Sequence, residues 1–155
     1  GNKLNNARSE TVADKPSFRD AFRRRRCLIP ADGFYEWQAQ GKLKQPYYIS
    51  LASAEPMAMA GLWESWRTPS GEILRTCCVL TTGPNETMRP IHDRMPVLIA
   101  PADWERWLTA PVEVVAPMLR PFDIEAMQAW PVDRGVSKAS IDDADLIKPL
   151  PQQPG

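Results

Sequence analysis

The sequence predicts an α+β fold with an antiparallel, barrel-like β core and a few short flanking helices. Three observations carry that prediction. Short runs rich in aromatic and branched residues recur along the chain, each bounded by Gly or Pro. Prolines number sixteen, roughly twice the usual share, and favour ordered turns and strand ends over long helices. Helical spacing of apolar residues is confined to three brief segments.

Residues 6–11 (Asn-Ala-Arg-Ser-Glu-Thr) form an extended segment, which puts Asn6, Arg8 and Glu10 on one face by strand alternation. A helix opens at Pro16-Ser17, where Ser17 and Asp20 make a capping-box-like pair and Phe18 and Phe22 stack at i,i+4. Arg23, Arg24, Arg25 and Arg26 close it, cations complementing the negative end of the helix dipole. Cys27-Leu28-Ile29-Pro30 is a short strand. A turn at Ala31-Asp32-Gly33 leads to the aromatic strand Phe34-Tyr35-Glu36-Trp37-Gln38, and a hairpin at Gly41 leads to the strand 46–51. Residues 57–63 (Met-Ala-Met-Ala-Gly-Leu-Trp) have the pattern of a strand buried on both faces. Residues 68–71 (Thr-Pro-Ser-Gly) turn the chain into a strand over 73–82. An amphipathic helix is expected over 101–108 with Pro101 at its first position, and a second over 123–130. Residues 1–150 are read as one domain, and 151–155 as a tail.

Bulk properties exclude several classes. Hydrophobic residues at 43% and charged residues at 25% describe a globular chain with a sizeable core. A formal net charge of zero excludes a globally basic nucleic-acid binder, although charge is uneven, with the arginine run at 23–26 and Asp142, Asp143 and Asp145 near the end. The three cysteines, Cys27, Cys77 and Cys78, form no CxxC pair, and a single histidine cannot complete a common zinc site, so no metal and no cofactor is expected. Reduced thiols and the lack of a long apolar run point to a cytoplasmic protein, and a monomer is expected.

Two places break the local pattern. Glu36 lies among Phe34, Tyr35 and Trp37. Burial there would raise its pKa toward acid/base use, and strand alternation equally allows it to face water. His92 lies in a polar loop, residues 83–96, between a strand and the apolar Val97-Leu98-Ile99, flanked by Asp93 and Arg94. It is either a proton-transfer group oriented by a carboxylate or an ordinary hydrogen-bonded loop residue. Pattern alone leaves both questions open.

Asn6-Ala7-Arg8 with Glu10-Thr11, the block Gly33-Phe34-Tyr35-Glu36-Trp37, Gln45-Pro46-Tyr47-Tyr48, Thr81-Thr82, and Ile91-His92-Asp93-Arg94-Met95-Pro96 together resemble the SOS-response-associated peptidase family. Trp130-Pro131-Val132 and Asp145-Leu146-Ile147-Lys148-Pro149 extend the resemblance to nearly the whole chain. It implies a protein that traps abasic sites in single-stranded DNA as a covalent crosslink. In such a protein an N-terminal cysteine closes a thiazolidine ring on the opened sugar aldehyde. The resemblance further implies that Asn6 positions the cysteine and sugar, that Glu36 assists ring opening, and that His92 moves protons. It assigns DNA contacts to Arg8, Thr81 and Arg94. The family opens with Met-Cys-Gly-Arg, whereas this sequence begins Gly1-Asn2-Lys3-Leu4. The expectation is that the polypeptide as given lacks the family's opening segment and cannot form the thiazolidine. Two rival readings are an autopeptidase acting only on its own N terminus and a non-enzymatic single-stranded DNA-binding module.

Overall fold

The structure, a computed structural model, describes residues 5–137 and 147–151. The expected acidic end at Asp142, Asp143 and Asp145 and most of the tail lie outside the described residues. The strands are β1 (Asn5–Arg8), β2 (Arg26–Ala31), β3 (Phe34–Gln40), β4 (Leu43–Leu51), β5 (Met57–Arg67), β6 (Ile73–Thr82), β7 (Met95–Pro96) and β8 (Met127–Pro131). The α-helices are α1 (Pro16–Arg24), α2 (Trp104–Thr109) and α3 (Val112–Val115).

The strands form two sheets. The first runs β1-β6-β5-β2 with β7 also paired to β6, and the second runs β3-β4-β8. The α+β class holds and the closed barrel does not: both sheets are open, and β1 pairs with β6 in parallel rather than antiparallel fashion. The physical reason lies in β5. Met57 and Met59 enter a core shared with Ile49 of β4 and Met127 of β8, whereas Ala60 and Leu62 enter a second core with Phe22 of α1 and Trp107 of α2. A strand with apolar residues on both faces needs cover on both sides, so the first sheet is the middle layer between the second sheet and the helices. Residues 57–62 are buried throughout, as their pattern predicts.

Local chemistry explains the elements and the departures from expectation. Gly41, at φ +61°, makes the hairpin between β3 and β4. Gly33 permits close approach before β3, since a Cβ there would sit 2.5 Å from the Tyr48 ring and 2.6 Å from the Ile49 carbonyl. The expected capping box is not made. Lys15 is the N-cap without a side-chain bond, and Pro16 begins the helix where an N–H would have no partner anyway. Asp20 instead meets Arg25 at 3.0 Å and Arg24 at 3.5 Å.

The arginine run is not a single last turn. Helix α1 ends at Arg24, Arg25 is its C-cap, and Arg26 begins β2. Arg26 is only 8% exposed. Its guanidinium donates to the carbonyls of Phe22 at 2.8 Å, Arg23 at 3.3 Å, Trp107 at 2.6 Å and Ala110, so one cation serves the carbonyl ends of α1 and α2 together. Pro101 opens a 3₁₀ turn, Pro101–Asp103, ahead of α2. The helix expected over 123–130 is a 3₁₀ turn, Ile124–Ala126, followed by strand β8. There Met127 and Ala129 join the inter-sheet core while Gln128 and Trp130 point the other way, a period of two that β4 recruits by pairing.

Candidate functional site

The site begins on β3, an edge strand of the second sheet. Phe34 and its partner Ile49 pack in the inter-sheet core. Alternation then places Glu36 and Gln38 on that same inward face, toward the rim of the sheet. Tyr35 and Trp37 take the other face, where Tyr35 lies 6.3 Å from Trp37 and 5.5 Å from Tyr48, and Tyr48 lies 5.9 Å from Trp130. The open choice for Glu36 is thereby decided. Its side chain is 24% exposed, on the core side rather than the outer side.

The loop carrying His92 is ordered by burial at its base. Asn85, 7% exposed, accepts from the Met88 N–H through Oδ1 at 3.0 Å and donates through Nδ2 to the Phe122 carbonyl at 3.0 Å. The Arg89 N–H donates to the Asn85 carbonyl at 2.9 Å and the His92 N–H to the Met88 carbonyl at 2.9 Å, giving two helix-like turns. Met88, Ile91 and Met95 sink into the inter-sheet core and pin the loop at three points. Gln38 of β3 donates to the Pro90 carbonyl at 2.7 Å, tying the loop to the strand that bears Glu36.

These supports bring the two candidates together. His92 Nε2 lies 3.6 Å from Glu36 Oε1. His92 Nδ1 meets the Arg94 backbone, with the N–H at 3.1 Å and the carbonyl at 3.2 Å, its role there depending on the tautomer, and Nε2 faces the carboxyl in either case. Asp93, highly exposed, lies 3.4 Å from Nδ1 and can stabilise the imidazolium. Burial holds the Glu36 carboxyl above the ordinary range. Asp93 adds to this, while His92 and a hydrogen bond from the Trp37 backbone oppose it. A carboxyl that retains its proton more readily than usual, beside an imidazole, can give and take protons at a bound substrate. The pair opens onto a cavity of about 550 Å³ whose described lining is Glu36, Trp37, Lys44, His92 and Arg134.

The other expected residues gather at the β1–β6 edge. Asn6 lies opposite Val79 and Arg8 opposite Thr81, on the face of the first sheet that looks toward the second. Both are exposed, and Asn6 makes no hydrogen bond to Glu36 or His92 among the described residues. Arg94 is already engaged. It holds Glu10 bidentately at 2.8 and 2.9 Å and donates to the Thr81 carbonyl at 2.8 Å and hydroxyl at 2.9 Å. The Arg94 guanidinium in turn holds the Glu10 carboxyl below its usual range. Arg8, with its side chain 69% exposed and only a 3.9 Å approach to Glu10, is the more available cation.

Sequence reasoning missed Gln38 and Asn85. Period two from Glu36 identifies Gln38, and an Asn followed three residues later by a buried Met is the pattern of a side-chain-stabilised turn. The cysteines do not line the cavity. Burial pushes the Cys27 thiol up to about 11 and raises Cys78 in the same direction, so both stay protonated and poorly nucleophilic. Among the described residues no cluster of three or more His, Cys, Asp or Glu could hold a metal ion, and no helix is long and apolar enough to cross a membrane.

Comparison with known proteins adds an independent line. The family model described as SOS response associated peptidase (SRAP) matches residues 1–139. The Bacillus subtilis abasic site processing protein YoqW is 43% identical over 153 residues, spanning 96% of this chain and 68% of that protein. The Escherichia coli abasic site processing protein YedK is 30% identical over 156 residues, spanning 95% and 68%. The Xenopus tropicalis abasic site processing protein HMCES is 40% identical over 116 residues, 63% of this chain and 35% of that protein. A crystal structure from Bacteroides thetaiotaomicron superposes with a TM-score of 0.89 at 32% identity, covering 94% of this chain and 65% of that one. The chain thus spans about two thirds of the length of the bacterial proteins it matches.

Proposed function

The chain belongs to the SOS-response-associated peptidase family, and from that premise we propose that it processes abasic sites in single-stranded DNA, with Glu36 and His92 as its proton-transfer pair. The observation that carries this reading is the 3.6 Å approach of His92 Nε2 to a Glu36 carboxyl whose pKa burial has raised. An abasic deoxyribose rests mostly as a closed hemiacetal. Opening it requires a proton delivered to the ring oxygen and another removed from the anomeric hydroxyl. Glu36, protonated more readily than an exposed carboxyl, supplies the first, and its conjugate base or His92 receives the second.

The covalent step is assigned to an N-terminal cysteine of the kind the family carries. Its amine adds to the aldehyde to give a carbinolamine, water departs as His92 or Glu36 protonates the hydroxyl, and the thiol closes on the resulting iminium with loss of its proton. Half-buried Cys27 and Cys78, whose thiols hold their protons more tightly than usual, are unsuited to that role. Asn6 orients the sugar and cysteine from the facing edge of the first sheet. Arg8 grips the backbone without reading bases, as a target with a missing base demands. Arg94 contributes by holding Glu10 and Thr81 in place as well as by its charge.

The test uses the protein with its N-terminal cysteine and an oligonucleotide carrying an abasic site. Glu36→Gln and His92→Gln are expected to slow formation of a hydroxylamine-sensitive adduct on the order of 10²-fold. A polypeptide beginning at Gly1 is expected to bind without forming that adduct. Unchanged rates in both variants would overturn the assignment of the pair, whereas DNA binding with no adduct from the cysteine-bearing protein would favour a module that only binds DNA. Removal of an initiator Met without any DNA adduct would favour the autopeptidase.

A further inference from the structure

The cavity beside Glu36 and His92 carries cations of its own. Neither Arg8 nor Arg94 lines it, whereas Lys44 of β4 and Arg134 of the 3₁₀ turn Arg134–Ser137 do. The two come from separate segments and meet through one bond, Arg134 Nε donating to the Lys44 carbonyl at 3.3 Å. That bond uses Nε, and among the described residues no partner takes the two terminal nitrogens. Both side chains are exposed, and the ion pairs among the described residues engage other cations. The alternation of β4 explains why Lys44 is there. It lies opposite Ala39, on the face that carries Trp37, so an aromatic plane and two positive charges border the same opening. Among the described residues neither cation has a carboxylate partner, and two such cations beside a group that handles a sugar match the one anion a nucleic-acid strand places next to each sugar.

We propose that Lys44 and Arg134 form a phosphate subsite that takes a backbone phosphate flanking the abasic sugar at the Glu36–His92 pair. The inference rests on the reading of that pair as the sugar-processing centre, and adds a second anchor to the strand beyond Arg8. Arg134 contacts the phosphate with its terminal nitrogens, and Lys44 adds a point charge. Holding a phosphate on each side of the sugar fixes the sugar's rotation relative to the carboxyl, which one contact alone would leave free.

The experiment measures fluorescence anisotropy of a single-stranded oligonucleotide carrying a tetrahydrofuran abasic analogue, which cannot ring-open, binding to the full-length protein across a KCl series. The double variant Lys44→Ala/Arg134→Ala is expected to bind about tenfold more weakly at low salt, with a log Kd versus log salt slope shallower by about 0.7 for the phosphate lost. The charge-conserving Arg134→Lys variant is expected to keep most of the slope, which separates lost charge from damaged structure. Arg120→Ala, which lines a different cavity, is expected to match wild type. Wild-type affinity and slope in the double variant would overturn the subsite. If Glu36→Gln and His92→Gln slow adduct formation in that same case, only the subsite falls. If those variants react at full rate, the reading of the centre falls instead.

Discussion

Asn85 decides whether the His92 loop has one conformation, and its replacement by Ala can be worked through from contacts. The side chain is 7% exposed and serves two ends: Oδ1 accepts from the Met88 N–H at 3.0 Å, and Nδ2 donates to the Phe122 carbonyl at 3.0 Å. In Asn85→Ala the Met88 N–H keeps a 3.1 Å backbone partner, the Asn85 carbonyl, whereas the Phe122 carbonyl loses its donor. Two net hydrogen bonds at about 1 kcal/mol each, with up to about 1 kcal/mol for the void left by the amide, give a loss of about 2–3 kcal/mol. At about 2–4 °C per kcal/mol for a chain of this size, the melting temperature falls by about 4–12 °C. Urea unfolding with an unchanged m-value reads the loss directly. Asn85→Asp sharpens the test. It keeps the Oδ1 acceptor, loses the donor to Phe122 and buries a charge, so at neutral pH its loss should equal or exceed that of Ala and should shrink as the pH falls. A loss below about 0.5 kcal/mol for Ala, less than a single typical hydrogen bond, or a wild-type Asp variant, would refute the account of the loop.

Two further outcomes follow from buried charge. Because burial raises the Glu36 pKa, the folded state binds its proton more tightly than the unfolded chain does. The penalty for ionising Glu36 therefore appears as pH rises from the ordinary carboxylate value through the raised one. Glu36→Gln should accordingly be more stable than wild type at neutral pH and lose that advantage toward pH 4, as paired thermal melts would show. A constant difference across pH would contradict it. Arg26→Ala removes the cation that four carbonyls of α1 and the α2 region share. A destabilisation of about 3–5 kcal/mol is expected in urea unfolding. Arg26→Lys should recover only part, because one ammonium cannot reach both helix ends; full recovery by Lys would count against the shared-cap geometry.

Much of the fold was readable along the chain. Period-two patterns with Gly and Pro boundaries located most of β2 through β6, and the burial on both faces expected over 57–63 holds through Leu62, with Trp63 half-buried. The errors share a cause, which is that the deciding partner was remote. Residues 127–131 carry apolar groups compatible with a helix or a strand, and β4 selects the strand by pairing with them. Ser17 and Asp20 had the spacing of a capping box, but Arg25 claims Asp20 from the other end of the helix. Layering, not closure, satisfies the first sheet, because helices from both ends of the sequence cover the face a barrel would have turned outward.

The residue types of the site were determined by the sequence: one histidine in a polar loop, one carboxylate in an aromatic strand, and arginines in short blocks that mark the family. What the sequence could not determine was which of these meet. Glu36 and His92 are 56 positions apart, and their 3.6 Å contact depends on Gln38 holding Pro90, on Asn85 holding the loop, and on three buried side chains beneath it. Arg8 and Arg94 look equivalent in the sequence, yet Glu10 and Thr81 engage one and leave the other exposed. Alternation is a local property, so it could narrow Glu36 to two faces. Choosing between them required the second layer of the fold, since only packing makes one face of a strand the inside.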